Sequence, residues 1–206
     1  MNKRQFLSRA AALSATATVT VTALPAFTAA RAHPNACNPP SSPVVLTVTG
    51  SIKRHNRGAL DPAFDQLLAK HQVKFSEAYS VDYALLASMP AVTIKPTTEY
   101  DSHQHALKGP LLTDLLDHVG APTAGDTQIL MHAVDGYAVM TTLDKVRAYR
   151  FIIATHMDGK PLSLGGVGPL WATYDADNIA ELSNKPLKDR FELSPWGFYH
   201  LQVTEA

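Results

Sequence analysis

The chain has 206 residues, and its 18 Lys and Arg residues balance its 18 Asp and Glu residues, so the formal net charge at pH 7 is zero. Residues 1–32 hold four of the basic residues and none of the acidic ones, which leaves the remainder with a net charge of about −4. A nucleic-acid-binding protein needs a basic face, so this acidic excess argues against that class. Cys37 is the single cysteine, which excludes an intrachain disulfide.

The first 32 residues have the pattern of a cleavable export signal. Basic residues near the start precede an apolar run rich in Ala, Thr and Val, which ends at Ala30-Arg31-Ala32. A transmembrane anchor is the alternative, but the run is shorter and richer in threonine than an apolar span of about 20 residues. Lys3-Arg4 is close to the twin-arginine motif, so the twin-arginine and general secretory routes both stay open. We expect residues 1–32 to be a signal peptide and the protein to be periplasmic.

The rest of the chain divides into a short tail and one domain. Residues 33–43 are predicted to be an extended N-terminal tail because they contain the sequence NPPSSP. Residues 44–206 are long enough to bury a complete core and are predicted to form one domain.

Short runs rich in β-branched and aromatic residues predict strands at 44–49, 74–75, 92–95, 127–134, 137–141, 151–156, 170–174 and 198–203. Helical spacing and capping residues predict short helices at 63–70, 80–89, 111–119, 144–148 and 177–182. Ser80 is the expected N-cap of the helix at 80–89, and Asp144 that of the helix at 144–148. Gly109-Pro110 is expected to open the helix at 111–119, and Gly120 is expected to end it. Asp135-Gly136 predicts a hairpin turn. The predicted fold class is α+β, with mixed sheets and short helices.

Five segments occur in an order that is informative: LTVTG at 46–50, GPLLTDLLDHVGAP at 109–122, DGYAVMTTLDKV at 135–146, DGKPLSLGGVGPLWATY at 158–174 and WGFYHLQV at 196–203. Their order and spacing resemble the molybdopterin-binding domain of the sulfite-oxidase superfamily, and more narrowly its small exported members. The resemblance covers nearly all of residues 44–203. It implies a sulfite-oxidase-type molybdopterin-binding fold.

The resemblance also draws attention to a missing metal ligand. In the larger enzymes of the superfamily, a cysteine binds molybdenum from the loop that matches KPTTEYDSHQHALKGP at 95–110, where this chain has Thr97 and Thr98. Molybdenum in this family needs a soft thiolate, and a neutral threonine hydroxyl is a poor substitute. The family's arginine in the turn that matches GGVGPLW is replaced here by Leu170 and Trp171. Molybdenum is therefore doubtful, and we assign no catalytic or metal-binding residue.

A pterin pocket can persist without the metal. A pterin is a flat heterocycle with a guanidine-like edge, and its site needs aromatic faces together with carboxylates or backbone carbonyls. The resemblance implies a ligand-binding set of ten residues in the matching segments: Thr98, Glu99, Tyr100, His103, His105, Asp135, Tyr137, Thr142, Trp171 and Tyr174. Trp196 is instead predicted to be a core residue. The expected ligand is a reduced pterin or a molybdopterin-like compound.

His103 and His105 also raise the question of a metal site, because side chains two residues apart face the same side of an extended segment. A zinc site usually needs four protein ligands, or three and a water molecule, and the other histidines of the chain are scattered. A pocket-lining role and ordinary loop polarity are the alternatives, and both stay open.

Three functions are consistent with these features. The first is a periplasmic pterin-binding protein, a non-catalytic ligand sensor that reports to a membrane-bound signalling receptor, as small members of the superfamily without the cysteine are thought to do. The second is a periplasmic molybdopterin-dependent oxidoreductase with non-cysteine metal ligation, which the near-twin-arginine signal favours. The third and weakest is a histidine-based metal binder. The G-x-S-x-G, G-x-x-x-x-G-K and G-x-G-x-x-G motifs are absent, which argues against hydrolase and nucleotide-binding functions.

Overall fold

The computed structural model describes residues 40–206. The predicted signal peptide at 1–32, Cys37 and most of the predicted tail at 33–43 lie outside the described residues. Among residues 40–206, no helix is both long enough and apolar enough to cross a membrane.

The described residues form many short strands and a few short helices. The strands are β1 (Val44–Gly50), β2 (Tyr79–Asp82), β3 (Ala91–Ile94), β4 (Leu107–Pro110), β5 (Gln128–Ala133), β6 (Ala138–Thr142), β7 (Ile152–Ala154), β8 (His156–Met157), β9 (Lys160–Pro161), β10 (Trp171–Thr173) and β11 (Phe198–Thr204). The helices are α1 (Gln66–Lys70), α2 (Tyr83–Ser88), α3 (Leu112–Val119), α4 (Leu143–Tyr149) and α5 (Ala180–Ser183). Two 3₁₀ turns lie at Ala176–Asn178 and Leu187–Asp189. The predicted α+β class is confirmed.

The largest sheet has the strand order β2-β1-β11-β5-β6. Strands β1 and β11 are parallel, and the other neighbours are antiparallel. Alternate residues of β1 and β5, such as Val48 and Met131, are fully buried on one face of this sheet. They belong to the main core cluster, which also contains the apolar face of α3. The first strand, the last strand and the β5–β6 hairpin confirm the sequence predictions.

Two smaller sheets complete the fold. One pairs β10 with β7, and the other has the order β3-β4-β8-β9. A separate apolar cluster of Leu107, Ile152, Ala154, Leu162 and Trp171 lies among these strands. The long loop between β3 and β4, residues 95–106, extends from this part of the molecule and forms one wall of the cavity described below.

Helix α3 follows directly from its sequence. Leu112, Leu115, Leu116 and Val119 have helical spacing and are all buried. Gly120 ends the helix in the left-handed conformation, with φ 69°, which a residue without Cβ adopts easily. The prediction that Gly109-Pro110 opens this helix is wrong, because both residues belong to β4. A Cβ at Gly109 would lie 1.8 Å from a carbonyl oxygen of β7, so glycine allows the two strands to approach.

Several element boundaries differ from the predictions. No strand forms at 74–75, and Ser80 pairs with Thr47 in the main sheet instead of capping a helix. Asp82 is the actual cap of α2, because its carboxylate accepts a hydrogen bond of 2.9 Å from the Leu85 amide. In the same way Thr142, and not Asp144, caps α4. An N-cap residue has extended backbone, so a residue at the end of a strand can also be the cap of the following helix.

Candidate functional site

A cavity of about 350 Å³ lies where three chain segments meet. The 95–106 loop contributes Glu99 and Tyr100, the β5–β6 hairpin contributes Ala133, Asp135 and Tyr137, and the 188–196 segment contributes Lys188, Phe191, Glu192, Ser194 and Trp196. The volume falls in the range of small-molecule sites, about 300–1,000 Å³. Four of the ten predicted ligand-binding residues therefore line one cavity: Glu99, Tyr100, Asp135 and Tyr137.

Thr98 stabilises the loop that carries Glu99 and Tyr100. Its amide donates to the His103 carbonyl at 2.9 Å, and its hydroxyl donates to Asp101 Oδ1 at 2.7 Å. Thr98 is almost completely buried and does not line the cavity. Thr98, one of the two threonines at the expected place of the family cysteine, is thus a loop-closing residue, and its hydroxyl is already engaged.

His105 anchors the same loop to the β8–β9 turn. Its ring nitrogens lie 2.8 Å from Asp101 Oδ2 and 2.6 Å from Asp158 Oδ2. The hydrogen bond to Asp158, and then the one to Asp101, raises the pKa of His105 above its ordinary value. His103 is largely exposed, and its Nδ1 lies 2.7 Å from the Asp101 carbonyl oxygen. Neither histidine lines the cavity.

The two histidines do not form a metal centre with their neighbours. Both nitrogens of His105 are engaged by carboxylates, which leaves neither one free to bind a metal. Within residues 40–206, no group of three or more His, Cys, Asp or Glu side chains is arranged to hold a metal ion. The geometry supports a structural role for His105 in holding the loop.

The β5–β6 hairpin is joined to the 188–196 segment by Tyr137. The Tyr137 hydroxyl donates to the Glu192 carbonyl oxygen at 2.5 Å, and its amide donates to Asp135 Oδ1 at 2.9 Å. Gly136 has φ 93°, a value that glycine adopts without strain. The Asp-Gly turn thus has two roles, since it closes the hairpin and places Asp135 and Tyr137 at the cavity.

Trp171 and Tyr174 lie behind the cavity wall and do not line it. The Trp171 indole N–H donates to Ser194 Oγ at 2.9 Å, and its ring centroid lies 6.2 Å from that of Tyr100. The Tyr174 ring stacks on Phe191, and its hydroxyl donates to the Arg190 carbonyl oxygen at 2.8 Å. Both side chains are almost fully buried, so they support the wall from inside.

Thr142 lies away from the cavity. Its hydroxyl accepts a hydrogen bond of 3.3 Å from the Lys145 amide at the start of α4. It is a helix cap, and it is absent from the cavity lining.

The 188–196 segment is the part of the site that sequence reasoning missed. Trp196, which is predicted to be a core residue, packs against the smaller apolar cluster, but it is only half-buried and also lines the cavity together with Phe191 and Glu192. The segment has no helical or strand periodicity, so only its composition could have indicated the site. Two aromatic residues and one acidic residue lie within six positions of this segment. A pterin site needs the same combination of aromatic rings and carboxylates.

The lining of the cavity is predominantly acidic. Glu99, Asp135 and Glu192 bring three carboxylates, against one ammonium group from Lys188. Burial, and then the charge of Glu99, raise the pKa of Tyr100 to about 12. Burial, and then Glu192, likewise raise the pKa of Tyr137. Both hydroxyls therefore stay protonated near neutral pH, and that of Tyr137 already donates to the Glu192 carbonyl oxygen.

Comparison with known proteins gives evidence about the fold. No model of a known protein family matches this chain, and no curated protein matches it. Among solved structures, the sulfane dehydrogenase SoxCD from Paracoccus pantotrophus is similar, with a TM-score of 0.50 and 12% sequence identity. The alignment covers 78% of this chain and 38% of that one. The chain has a mixed α+β fold of the sulfite-oxidase type. At this identity the likeness concerns the fold alone.

Proposed function

We propose that this protein binds a pterin in the cavity and acts as a non-catalytic ligand sensor in the periplasm. The observation that carries the proposal is the lining of the cavity, which combines aromatic rings with carboxylates. One wall of the cavity is the loop that resembles the cofactor loop of the sulfite-oxidase superfamily.

The aromatic residues suit the flat faces of a pterin ring. Tyr100, Tyr137 and Trp196 come from three different segments and meet at one cavity. Stacking of aromatic rings contributes about 0.5–1.5 kcal/mol for each pair beyond the burial of area. A ring held between two segments also excludes water from its faces, which strengthens the hydrogen bonds at its edge.

The carboxylates suit the guanidine-like edge of the pterin. Such an edge presents two parallel N–H donors, as arginine does, and a carboxylate accepts both. Glu99 is the acceptor that we assign, because it lies beside Tyr100 in the loop wall. Each carboxylate already has one contact, since Asp135 Oδ1 accepts the Tyr137 amide and the Glu99 side chain is hydrogen-bonded with Tyr100. We prefer Glu99 because it lies in the loop that resembles the cofactor loop.

The same residues fit a complete molybdopterin poorly. The phosphate of molybdopterin needs cationic partners, and the lining offers Lys188 against three carboxylates. The metal needs a thiolate, and Thr98 offers an engaged hydroxyl. We therefore propose a pterin that carries neither phosphate nor molybdenum.

Signalling would use the rim of the cavity. Tyr100 and Tyr137 remain about half exposed, so a ligand beneath them changes the surface that they present. A membrane-bound receptor that contacts this rim can distinguish the bound from the free protein. The periplasmic location in this proposal depends on the predicted signal peptide at 1–32.

The test is the composition of the protein purified from the periplasm of its native host. We expect a pterin that becomes fluorescent after oxidation, in about one copy per chain, and no stoichiometric molybdenum. Stoichiometric molybdenum would refute the proposal, and so would protein without pterin that also fails to bind added tetrahydrobiopterin. Binding only of phosphorylated pterins would refute the charge argument.

A further inference from the structure

The two main walls of the cavity are connected by a residue that lies outside it. Glu99 and Tyr100 are far in sequence from Phe191 and Glu192, so their relative position depends on noncovalent contacts. Asp177, in the 3₁₀ turn after β10, contacts the base of both walls.

The first contact is with the 95–106 loop. The amide and the hydroxyl of Thr97 both donate to Asp177 Oδ2, each at 2.8 Å. Thr97 precedes Glu99 by two residues, and its bridge to Gln104 closes the loop. One carboxylate oxygen thus holds the loop at its base.

The second contact is with the 188–196 segment. Arg190 Nη1 donates to Asp177 Oδ1 at 2.9 Å, and Arg190 Nε donates to the Lys185 carbonyl oxygen at 2.8 Å. Arg190 immediately precedes Phe191, and the Tyr174 hydroxyl fixes the Arg190 carbonyl from inside. The guanidinium thus has two hydrogen-bond partners and the main chain of the same residue a third, which makes Arg190 a defined anchor for the carboxylate.

The contacts are partly protected from solvent. The side chains of Asp177 and Arg190 keep 23% and 21% of their exposure. Burial tends to raise the pKa of Asp177, but the hydrogen bonds from Thr97 and the charge of Arg190 outweigh it, and the pKa is lowered. The carboxylate is thus ionised near neutral pH and makes charge-assisted hydrogen bonds to both walls.

We propose that Asp177 is a positioning residue that sets the separation of the two cavity walls and thereby controls ligand affinity from outside the cavity. The inference rests on the proposed pterin-binding function. It concerns the geometry of that site, and it can be tested without any ligand.

The first experiment measures hydrogen exchange in the ligand-free protein. Asp177→Asn removes the charge, and we expect about tenfold faster exchange in both the 95–106 and the 187–195 peptides. Peptides from β5 and β11 should keep their protection. Thr97→Val should accelerate exchange in the loop, and Thr97→Ser, which keeps the hydroxyl, should restore protection. Asp126→Asn is the matched control, because Asp126 is exposed and absent from the cavity lining.

The second experiment measures binding of tetrahydrobiopterin by calorimetry and stopped flow. Asp177→Asn should weaken binding about tenfold, mainly through faster dissociation, with little change in the unfolding midpoint. Unchanged exchange in either wall, or a loss of protection that extends to β5 and β11, overturns the positioning role. Failure of the wild-type protein to bind any pterin refutes the proposed function instead, and the exchange experiment then decides the role of Asp177.

Discussion

The carboxylate of Glu99 is the group whose replacement tests the recognition argument most sharply. Glu99→Gln keeps the size of the side chain and removes its charge. A charged acceptor contributes about 1.5–3 kcal/mol to a hydrogen-bonded contact and a neutral one about 0.5–1.5 kcal/mol. The difference, about 1–2 kcal/mol, corresponds to about 5–30-fold weaker binding. Because Glu99 is partly exposed, screening by solvent places the expected loss near the lower end, about five- to tenfold.

The assay is anaerobic calorimetry with tetrahydrobiopterin. Glu205→Gln makes the same charge change near the C-terminus, on an exposed residue, and should leave affinity unchanged. The Glu99→Gln variant should also lower the pKa of Tyr100 from about 12, since Glu99 contributes to raising it. An ultraviolet titration of the phenolate compares the two proteins. Equal or tighter binding by Glu99→Gln, or an equal loss in Glu205→Gln, contradicts the assigned role.

Three further predictions concern the scaffold. Gly109→Ala should cost about 3 kcal/mol or more in denaturant unfolding, because its Cβ would lie 1.8 Å from a β7 carbonyl oxygen; Gly58→Ala, whose Cβ meets nothing within 4 Å, should be nearly neutral. His105 has a raised pKa, so its stabilisation of the loop is complete below about pH 6.5 and is lost as pH rises through that raised pKa. Hydrogen exchange of the loop, corrected for intrinsic rates, should therefore be faster at about pH 9 than at about pH 6, and a pH-independent pattern would count against the contact with Asp158. Leu115→Ala should cost about 2–5 kcal/mol, since the side chain is fully buried in α3, and a loss below about 1 kcal/mol would contradict that burial.

Local signals predicted the elements that local interactions determine. The leucine spacing of α3, its terminal Gly120 and the Asp-Gly hairpin are properties of consecutive residues, and the structure confirms all three. The helix caps were less predictable, because Ser80 and Asp82 both satisfy the capping preference. The end of β2 selects Asp82, which is the last residue of the strand, whereas Ser80 lies inside it.

The site was only partly predictable, because its walls meet through contacts between distant residues. Glu99, Tyr100, Asp135 and Tyr137 were found through the resemblance, which depends on segment order. His105 was not recognisable as a loop anchor, because its partner Asp158 is 53 residues away.

The two tryptophans show a second limit of sequence reasoning. A proline lies shortly before each of them in the sequence: Pro169 is two residues before Trp171, and Pro195 is directly before Trp196. Trp171 lies in β10, which pairs with β7, and is buried behind Tyr100, whereas Trp196 lies between the 3₁₀ turn and β11 and lines the cavity. The two residues form a bridge with each other, and it is the packing of distant segments around them that leaves Trp196 at the cavity and Trp171 behind it.

Native mass spectrometry of the protein isolated from the periplasm of its native host shows directly whether the chain carries a pterin. We expect a mature chain with one noncovalent adduct of pterin mass, which dissociates on gentle activation and contains no molybdenum. An adduct that contains molybdenum would refute metal-free pterin binding, and so would a chain that carries no adduct and takes up no tetrahydrobiopterin when this is added.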